Sequence, residues 1–501
     1  MPPYESINLH PQTHLPSSLV TKTYDVICLG SGWAGRILAA RAVRGGLSAI
    51  IVEEELVGGD CPFWACVPSK VLLRPQEVVE EVQAVGGARE RFAPTTSGQS
   101  KLDVRAVLDR RDTYSSHWDD GVVAVPMVEG SGAALVRGTG TITGVKEVHV
   151  RNVNGQEVLL QANHAVAVCT GSEPIIPPIP GLEEAKPWGA RQATSSSSIP
   201  ESLLVLGAGA VGTEMATAYA SFGSNVILVT KSSEILSGVD PEAGLLVRQS
   251  LESQGVKVVV SATASSVKRE ADGTVTVKLT NEEVFHVSEI LVASGRKART
   301  EGLGLEQFGL HIDGSPLTVD ESLCISAVPG SWLYALGDVN GRAPLTHSSK
   351  YHGRIAGSVI IARANGSGVR PVPWSEHAAT ADLKALPQVI FTNPNVATVG
   401  LTRGLAKKQG KTVREVTAPL VTLGAKLHAD GFKDGWAQWI IEEGTDRLLG
   451  ATFVGANAAD LLHASTVAVV GGLTLDRLAH AIPSFPTMSE VYLNLLEAAG
   501  M

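Results

Sequence analysis

The sequence predicts an α/β protein with two Rossmann-like dinucleotide-binding domains, followed by an α+β domain toward the C-terminal end. Three observations carry this expectation. Two separate strand, glycine-rich turn, helix, strand units lie about 180 residues apart, counting between their first glycines. The chain has 501 residues, more than one hydrophobic core supports, so two to four domains are expected. Its composition, 44% hydrophobic and 18% charged, is that of an ordinary globular protein.

The first unit opens with Tyr24-Asp25-Val26-Ile27-Cys28-Leu29, an apolar run that reads as a buried strand. It turns at Gly30-Ser31-Gly32-Trp33-Ala34-Gly35 into an Ala- and Leu-rich helix, and a second strand, 48–52, ends at Glu53. In this pattern Gly30 permits the tight turn, Gly32 lets the backbone approach a pyrophosphate, and Gly35 packs helix on strand. The helix N-terminus favours phosphate charge. Glu53 follows Gly30 by 23 residues, close to the spacing of about 20 at which an acid meets a ribose hydroxyl pair.

The second unit repeats the first. Ser202 to Leu206 leads into Gly207-Ala208-Gly209-Ala210-Val211-Gly212, an Ala-rich helix, and the strand from Asn225 to Val229. Thr230 now stands where Glu53 stood, followed by Lys231, Ser232 and Ser233. Loss of the acid removes repulsion against a 2′-phosphate, and Lys231 with Ser232 can bind one. This points to NADPH rather than NADH, although Glu234 opposes it.

Between the two units runs Gly58-Gly59-Asp60-Cys61-Pro62-Phe63-Trp64-Ala65-Cys66-Val67-Pro68-Ser69-Lys70, followed by apolar Val71-Leu72-Leu73. One turn of helix is expected to hold both sulfurs on one face. A thiolate at a helix N-terminus with a lysine close behind is stabilised, and the thiolate is the reactive form. Two buried structural thiols are the competing reading. Five cysteines in so long a chain make no disulfide framework and point to a reducing compartment, hence the cytoplasm. Zinc needs more nearby Cys or His than this segment offers, so no metal is expected. A net charge of -9 gives no footprint for nucleic acid or an anionic membrane. No apolar run is long enough to span a bilayer. The opening 1–23 contains Pro and Ser without an apolar signal core, and is expected to be a flexible arm.

Two nucleotide units with a cysteine pair just beyond the first resemble the FAD-dependent pyridine nucleotide-disulfide oxidoreductases, the group of dihydrolipoamide dehydrogenase, glutathione reductase and mercuric reductase. The resemblance runs from Tyr24 to the end. Cys169-Thr170-Gly171-Ser172-Glu173-Pro174 is similar to the family's return to the FAD domain, and Val292-Ala293-Ser294-Gly295-Arg296 to the close of its NAD(P) domain. Leu336-Gly337-Asp338-Val339-Asn340 resembles the second FAD fingerprint, in which the aspartate holds the ribityl chain. Residues 387–401 and 450–455 resemble the entry to the interface domain and a strand within it. The resemblance implies an FAD domain at 24–180 and 301–375, an NADPH domain at 181–300, and an interface domain at 376–501 that forms a homodimer. Polar or Gly/Pro-rich segments at 89–101, including a Gly/Ser stretch near Thr96, and at 364–374 read as surface loops.

The same resemblance assigns roles. Cys66 would be the flavin-proximal, charge-transfer thiolate and Cys61 the interchange thiol that meets a small-molecule acceptor. Lys70 would lie near the flavin, paired with Glu214. Gly59, Thr170, Gly171, Gly337 and Asp338 would sit around FAD, and Gly295 and Arg296 around the nucleotides.

One departure changes the chemistry. The family's His-Pro-Thr-x-Ser-Glu segment supplies a histidine and a glutamate that protonate the leaving thiolate; here it reads Phe485-Pro486-Thr487-Met488-Ser489-Glu490. Phenylalanine exchanges no proton, so general acid catalysis typically worth about 10²–10⁴-fold is lost from that position. His347, His352 and His480 are the replacements that sequence position offers, each also readable as structural. The Asn and Gly usual between the cysteines are replaced by Phe63 and Ala65, and Phe63, Trp64 and Phe485 read either as an apolar slot near the thiols or as packing at the dimer interface. The expected function is an FAD-dependent NADPH:acceptor oxidoreductase that uses the cysteine pair on a small disulfide or sulfur compound. A quinone reductase or diaphorase is the alternative, and a catalytically silent redox sensor a third.

Overall fold

The computed structural model describes residues 6–91, 102–432 and 435–501. The Gly/Ser stretch expected near Thr96 lies outside the described residues, as do the first five residues of the N-terminal arm. The chain divides into two compact units, Met1–Pro68 with Asp112–Ile175 and Arg296–Leu383, and Ser69–Arg111 with Ile176–Gly295 and Lys384–Met501.

In the first unit the strand Thr23–Leu29 runs parallel to Ala49–Glu53 on one side and Glu157–Val168 on the other. Ala134–Arg137 extends the sheet beyond Ala49–Glu53, and Leu333–Ala335 also pairs with Glu157–Val168. Strands buried on both faces are continuous apolar runs, which is why 24–29 shows no alternation. Val26 and Cys28 face one core with helices Trp33–Arg44 and Thr346–Ala364, while Ile27 and Leu29 face another. The expected flexible arm is corrected for its described part. Ile7 and Leu9 pack against the buried cluster of Leu56, Phe63, Trp64 and Trp118, and the Arg137 N–H donates to the His14 carbonyl, so apolar burial and hydrogen bonding hold this segment down.

In the second unit Ser202–Leu206 lies between Asn225–Val229 and Glu289–Val292, all parallel, with Lys257–Val259 outermost. Both parallel sheets therefore place the strand that feeds the glycine turn at the centre, with the next strand in sequence beside it. A three-stranded antiparallel sheet, 264–287, adjoins in sequence, and a five-stranded antiparallel sheet spans Pro387–Ile390 to Leu448–Gly455. Helices Ala458–Gly471 and Val491–Ala498 bury Leu461, Leu462, Val469, Val491, Leu495 and Leu496 in the core of that last sheet. The stretch 365–374 is loop, as its composition implies.

Candidate active site

The two glycine turns have the same local geometry. A Cβ on Gly30 would lie 2.4 Å from the Cys169 carbonyl oxygen, and one on Gly35 2.1 Å from the Gly30 oxygen, whereas Gly32 faces open space. Gly207, Gly212 and Gly209 repeat this, at 2.4 Å from Ala293 O, 1.8 Å from Gly207 O, and open. In each turn two glycines are required by backbone contact, and the middle one leaves room for a phosphate at the N-terminus of a 12-residue helix. An FAD pyrophosphate fits the first cradle and a nicotinamide dinucleotide the second. Glu53, buried at the end of its strand, accepts from the Ser31 N–H and hydroxyl at 2.8 and 2.5 Å and from the Glu55 N–H at 2.9 Å. Burial raises its carboxyl pKa despite these bonds.

The cysteine segment is attached to the first cradle by glycine. Gly59 has φ +70°, and a Cβ there would stand 3.0 Å from the Gly32 Cα. The Gly58 N–H donates to Ser31 Oγ at 2.8 Å, and the Val57 N–H to Asp120, itself ion-paired with Arg137 at 3.0 Å. Cys61 then falls in the short helix Asp60–Phe63 and Cys66 at the start of the helix Cys66–Gln83. The expected single turn is corrected here: Trp64, at φ −132° and ψ −9°, breaks the helix between the cysteines. The break comes from burial, because Trp64 and Phe63 turn inward against Trp118, whose indole N–H donates to the Phe63 carbonyl. The slot reading of Phe63 and Trp64 is corrected by the same packing, since each is only 2% exposed.

Neither cysteine is in a disulfide, and both residues are half-buried. The Cys61 pKa is brought down to about 6, first by a hydrogen bond from Cys66, then, against the opposing effect of burial, by Thr346, the Trp33 indole and the Lys350 charge. Thr346 Oγ1 also lies 3.0 Å from Cys66 Sγ. The helix Thr346–Ala364 thus presents Thr346 and, one turn on, Lys350 to the pair. Trp33 and Lys350 are contacts that sequence reading missed; a tryptophan inside the glycine fingerprint was the available signal.

Asp60, next to Cys61, accepts from Arg296 Nη2 at 2.8 Å, and Arg296 Nε donates to Ser172 Oγ at 2.7 Å. Ser172 Oγ in turn donates to Asp338 Oδ2 at 2.7 Å. Arg296 sits in a strand paired with Ser172–Pro174 in the first unit, and its guanidinium is held in this circuit. Thr170 Oγ1 donates to the Arg299 carbonyl at 2.6 Å, and Gly171, Gly295 and Gly337 all hold positive φ. His352 is fully buried: Nδ1 accepts from the Gly337 N–H at 3.1 Å, so Nε2 carries the proton that Asp382 receives at 3.0 Å. It braces the Asp338 turn and is no surface proton donor. His347 is exposed on the same helix, and His480 is exposed in the second unit.

In the second unit Lys70 Nζ stands 2.7 Å from Glu214 Oε2 and 4.8 Å from the centroid of the Phe391 ring. Glu214 Oε1 accepts from the Phe391 N–H at 2.9 Å. Lys70, Thr217, Phe391 and Asn393 line a cavity of about 300 Å³. Thr230 is buried and its hydroxyl accepts from the Ser232 N–H, while Lys231 is exposed. Glu234, the acid that opposed a phosphate site, is held by Arg248 at 3.3 Å. Phe485 is 71% exposed, and the Glu490 carboxylate accepts from the Gly424 N–H at 3.1 Å.

Among the described residues no group of three or more His, Cys, Asp or Glu is placed to hold a metal, and no helix is long and apolar enough to cross a membrane. Residues 24–353 match the pyridine nucleotide-disulphide oxidoreductase model, and residues 386–496 match its dimerisation-domain model. The chain is 33% identical over 484 residues to a dihydrolipoyl dehydrogenase of Thermus scotoductus, covering 95% of this chain and 97% of the relative. It is 30% identical over 471 residues to a mercuric reductase of Staphylococcus aureus, covering 93% and 81% respectively. Its fold matches the HOCl-induced flavoprotein disulfide reductase RclA from Escherichia coli, solved as a Cu(II) complex, with TM-score 0.79, 22% identity, and 95% and 99% of the two chains covered. The chain belongs to the pyridine nucleotide-disulphide oxidoreductases and is a flavin-dependent NAD(P)H oxidoreductase.

Proposed function

We propose that this protein is an NADPH:acceptor oxidoreductase that passes electrons to the Cys61–Cys66 pair and on to a small disulfide or other sulfur-containing molecule. The observation that supports this most is the pair itself: two half-buried cysteines outside any disulfide, sharing a hydrogen bond beside the first dinucleotide cradle. When bound, FAD carries the electrons of a nicotinamide hydride to a protein disulfide. In the reduced pair, the Cys61 thiolate attacks one sulfur of the acceptor disulfide, forming a mixed disulfide and releasing the first product thiolate. Cys66 then attacks the Cys61 sulfur, releasing the second product and restoring the Cys61–Cys66 disulfide. Phe485 carries no proton for the leaving thiolates, which take theirs from water or another residue.

Lys70 balances charge near the flavin in this reading, steadied by Glu214, while Asp338 and Glu53 hold the ribityl and ribose hydroxyls. Lys231 and Ser232 take the 2′-phosphate of NADPH in this reading; Glu234, which opposes it, is paired at 3.3 Å with Arg248, a guanidinium that it shares with Glu252 at 2.9 Å. The working division stays at 1–23 for the arm, 24–180 and 301–375 for FAD, 181–300 for NADPH, and 376–501 for a homodimer interface. We place the reaction in the cytoplasm, where thiols stay reduced.

A quinone or other aromatic acceptor is favoured by one observation, the phenylalanine at 485, since such an acceptor needs no positioned imidazole. Anaerobic titration of the FAD-loaded protein with NADPH, then with candidate disulfides and quinones, separates the readings in wild type and Cys61→Ser. Uptake of four electrons and loss of disulfide turnover in Cys61→Ser support the thiol route. Full turnover in that variant excludes it, and failure of NADPH to reduce the flavin favours a sensor.

A further inference from the structure

Phe63 and Trp64, the two aromatic residues between the cysteines, are buried by two separate segments of the first unit. The first brings Trp118, whose ring centroid lies 6.0 Å from that of Trp64 and whose indole N–H donates to the Phe63 carbonyl at 3.2 Å. Trp118 ends the turn Ser116-His117-Trp118, three consecutive residues at φ +51°, +50° and +58°. Left-handed backbone is costly for any residue with a Cβ and an outlier for a bulky one, so such a turn persists only where its surroundings fix it. Two residues on, the Asp120 carboxylate accepts the Val57 N–H at 2.6 Å and pairs with Arg137 at 3.0 Å. The second segment is N-terminal, and its Ile7 and Leu9 close the same cluster. It is tied down by His10 Nδ1, 2.8 Å from the Glu54 carbonyl oxygen, and by Thr13 Oγ1, which accepts from Arg137 Nε at 3.2 Å. Arg137 also donates to the Glu55 carbonyl at 3.1 Å, so one buried guanidinium joins the N-terminal segment, the entry to the redox loop and the left-handed turn.

This packing bears on what the thiols can do. In a continuous helix, residues five apart are separated by about 7.5 Å along the axis alone, beyond the Cα separation of about 6.8 Å that a disulfide usually spans. A bend between Cys61 and Cys66 is therefore required for the pair to close, and Trp64 supplies it at φ −132°. We propose that Trp118, locked by the 6–14 segment through Arg137, is a positioning residue for the redox pair: it freezes the bend in the dithiol, so that closing the disulfide orders no further chain. In the step it serves, the Cys61–Cys66 S–S bond forms as the S–S bond of an acceptor disulfide breaks. Both electrons and both protons pass from the pair to the acceptor sulfurs, which leave as two thiols. Loosening the aromatic wedge gives the dithiol chain freedom that closure must remove, and freeing the backbone of even one residue weakens closure by about tenfold.

The proposed function enters here only in taking Cys61 and Cys66 as a pair that cycles, and the thiol–disulfide ratio tests the positioning role directly. FAD-loaded protein is equilibrated anaerobically in a series of oxidised and reduced dithiothreitol mixtures, acid-quenched and alkylated, and the dithiol fraction of the peptide carrying both cysteines is read by mass spectrometry. Trp118→Leu is expected to need a mixture about tenfold richer in oxidant for half-closure. Trp118→Phe, which keeps a ring but not the N–H, should fall between it and wild type. Ile7→Ser combined with Leu9→Ser, which slackens the wedge without changing Trp118, should shift the balance in the same direction. A side chain needed only for folding would lower the melting temperature and leave this ratio alone. Unchanged half-closure in Trp118→Leu and in the N-terminal double variant, or a shift toward the disulfide, overturns the inference. Should Trp118→Leu fail to fold, the double variant, whose two side chains are only partly buried, decides alone. Full turnover in Cys61→Ser would overturn the proposed function and leave the half-closure shift standing, so the two failures are distinct.

Discussion

Removing Lys70 tests whether the buried carboxylate of Glu214 depends on its ammonium partner. In Lys70→Met the 2.7 Å ion pair is lost, and Glu214, 7% exposed at its side chain, keeps only the Phe391 N–H. Breaking a buried pair by removing one partner costs about 3–5 kcal/mol. Here Lys70 is 35% exposed, so solvent already screens part of the attraction, and about 2 kcal/mol is the appropriate figure. For a cooperative unit of 150–250 residues, each kcal/mol lowers the melting temperature by about 2–4 °C, giving a fall of about 4–8 °C. Differential scanning calorimetry of the FAD-loaded protein measures it, with Glu214→Gln and the double variant completing a cycle. The double variant should recover part of the loss, since no unpaired charge remains. A Lys70→Met transition within 1 °C of wild type, or a double variant as unstable as the sum of the singles, would refute the reasoning.

Three further outcomes follow from the same geometry. Gly59→Ala forces an alanine into left-handed backbone, at a cost of roughly 1–2 kcal/mol, with its Cβ 3.0 Å from Gly32; the purified protein should carry less flavin, read as the ratio of visible to 280 nm absorbance. Burial raises the Asp382 carboxyl, but hydrogen bonds from His352 and Arg342 outweigh it and set the carboxyl below its usual range. A carboxyl depressed in the folded state contributes stability above its unfolded pKa and loses it as pH falls through the folded one, so the melting temperature should drop below about pH 4 and Asp382→Asn should flatten that drop. Lys231→Glu should raise KM for NADPH by about tenfold or more, equivalent to roughly 1.4 kcal/mol, while leaving KM for NADH nearly unchanged in steady-state assays.

The two nucleotide sheets were legible because their determinants are local. Gly30 and Gly35 touch backbone that any side chain would overlap, and Gly207 and Gly212 do the same, so the spacing itself records the geometry. Lys70 and Glu214 could be paired only through family resemblance, being 144 residues apart. Trp33 and Lys350 had no such guide, and their meeting depends on two helices packing across the first core. The break at Trp64 was hidden because the Cys-x4-Cys spacing is compatible with a continuous turn, and only the tertiary pull of Trp118 interrupts it. The N-terminal arm misled for a similar reason: its composition is that of a loop, yet Ile7 and Leu9 find an apolar cluster. Arg248 was missed as a neighbour of the phosphate loop because it lies on the following helix, 14 residues beyond Glu234.

The contact between Gly59 and Gly32 has a consequence for assembly. The loop that carries the thiols leans on the cradle that receives a pyrophosphate, and Ser31 bonds to both the Gly58 N–H and Glu53. Seating a cofactor in that cradle therefore stiffens the redox loop as well, without any side chain of the thiol pair touching the phosphate. Protein emptied of flavin would show slackened cysteines before any sheet unfolds, so thiol accessibility would serve as an early gauge of cofactor loading.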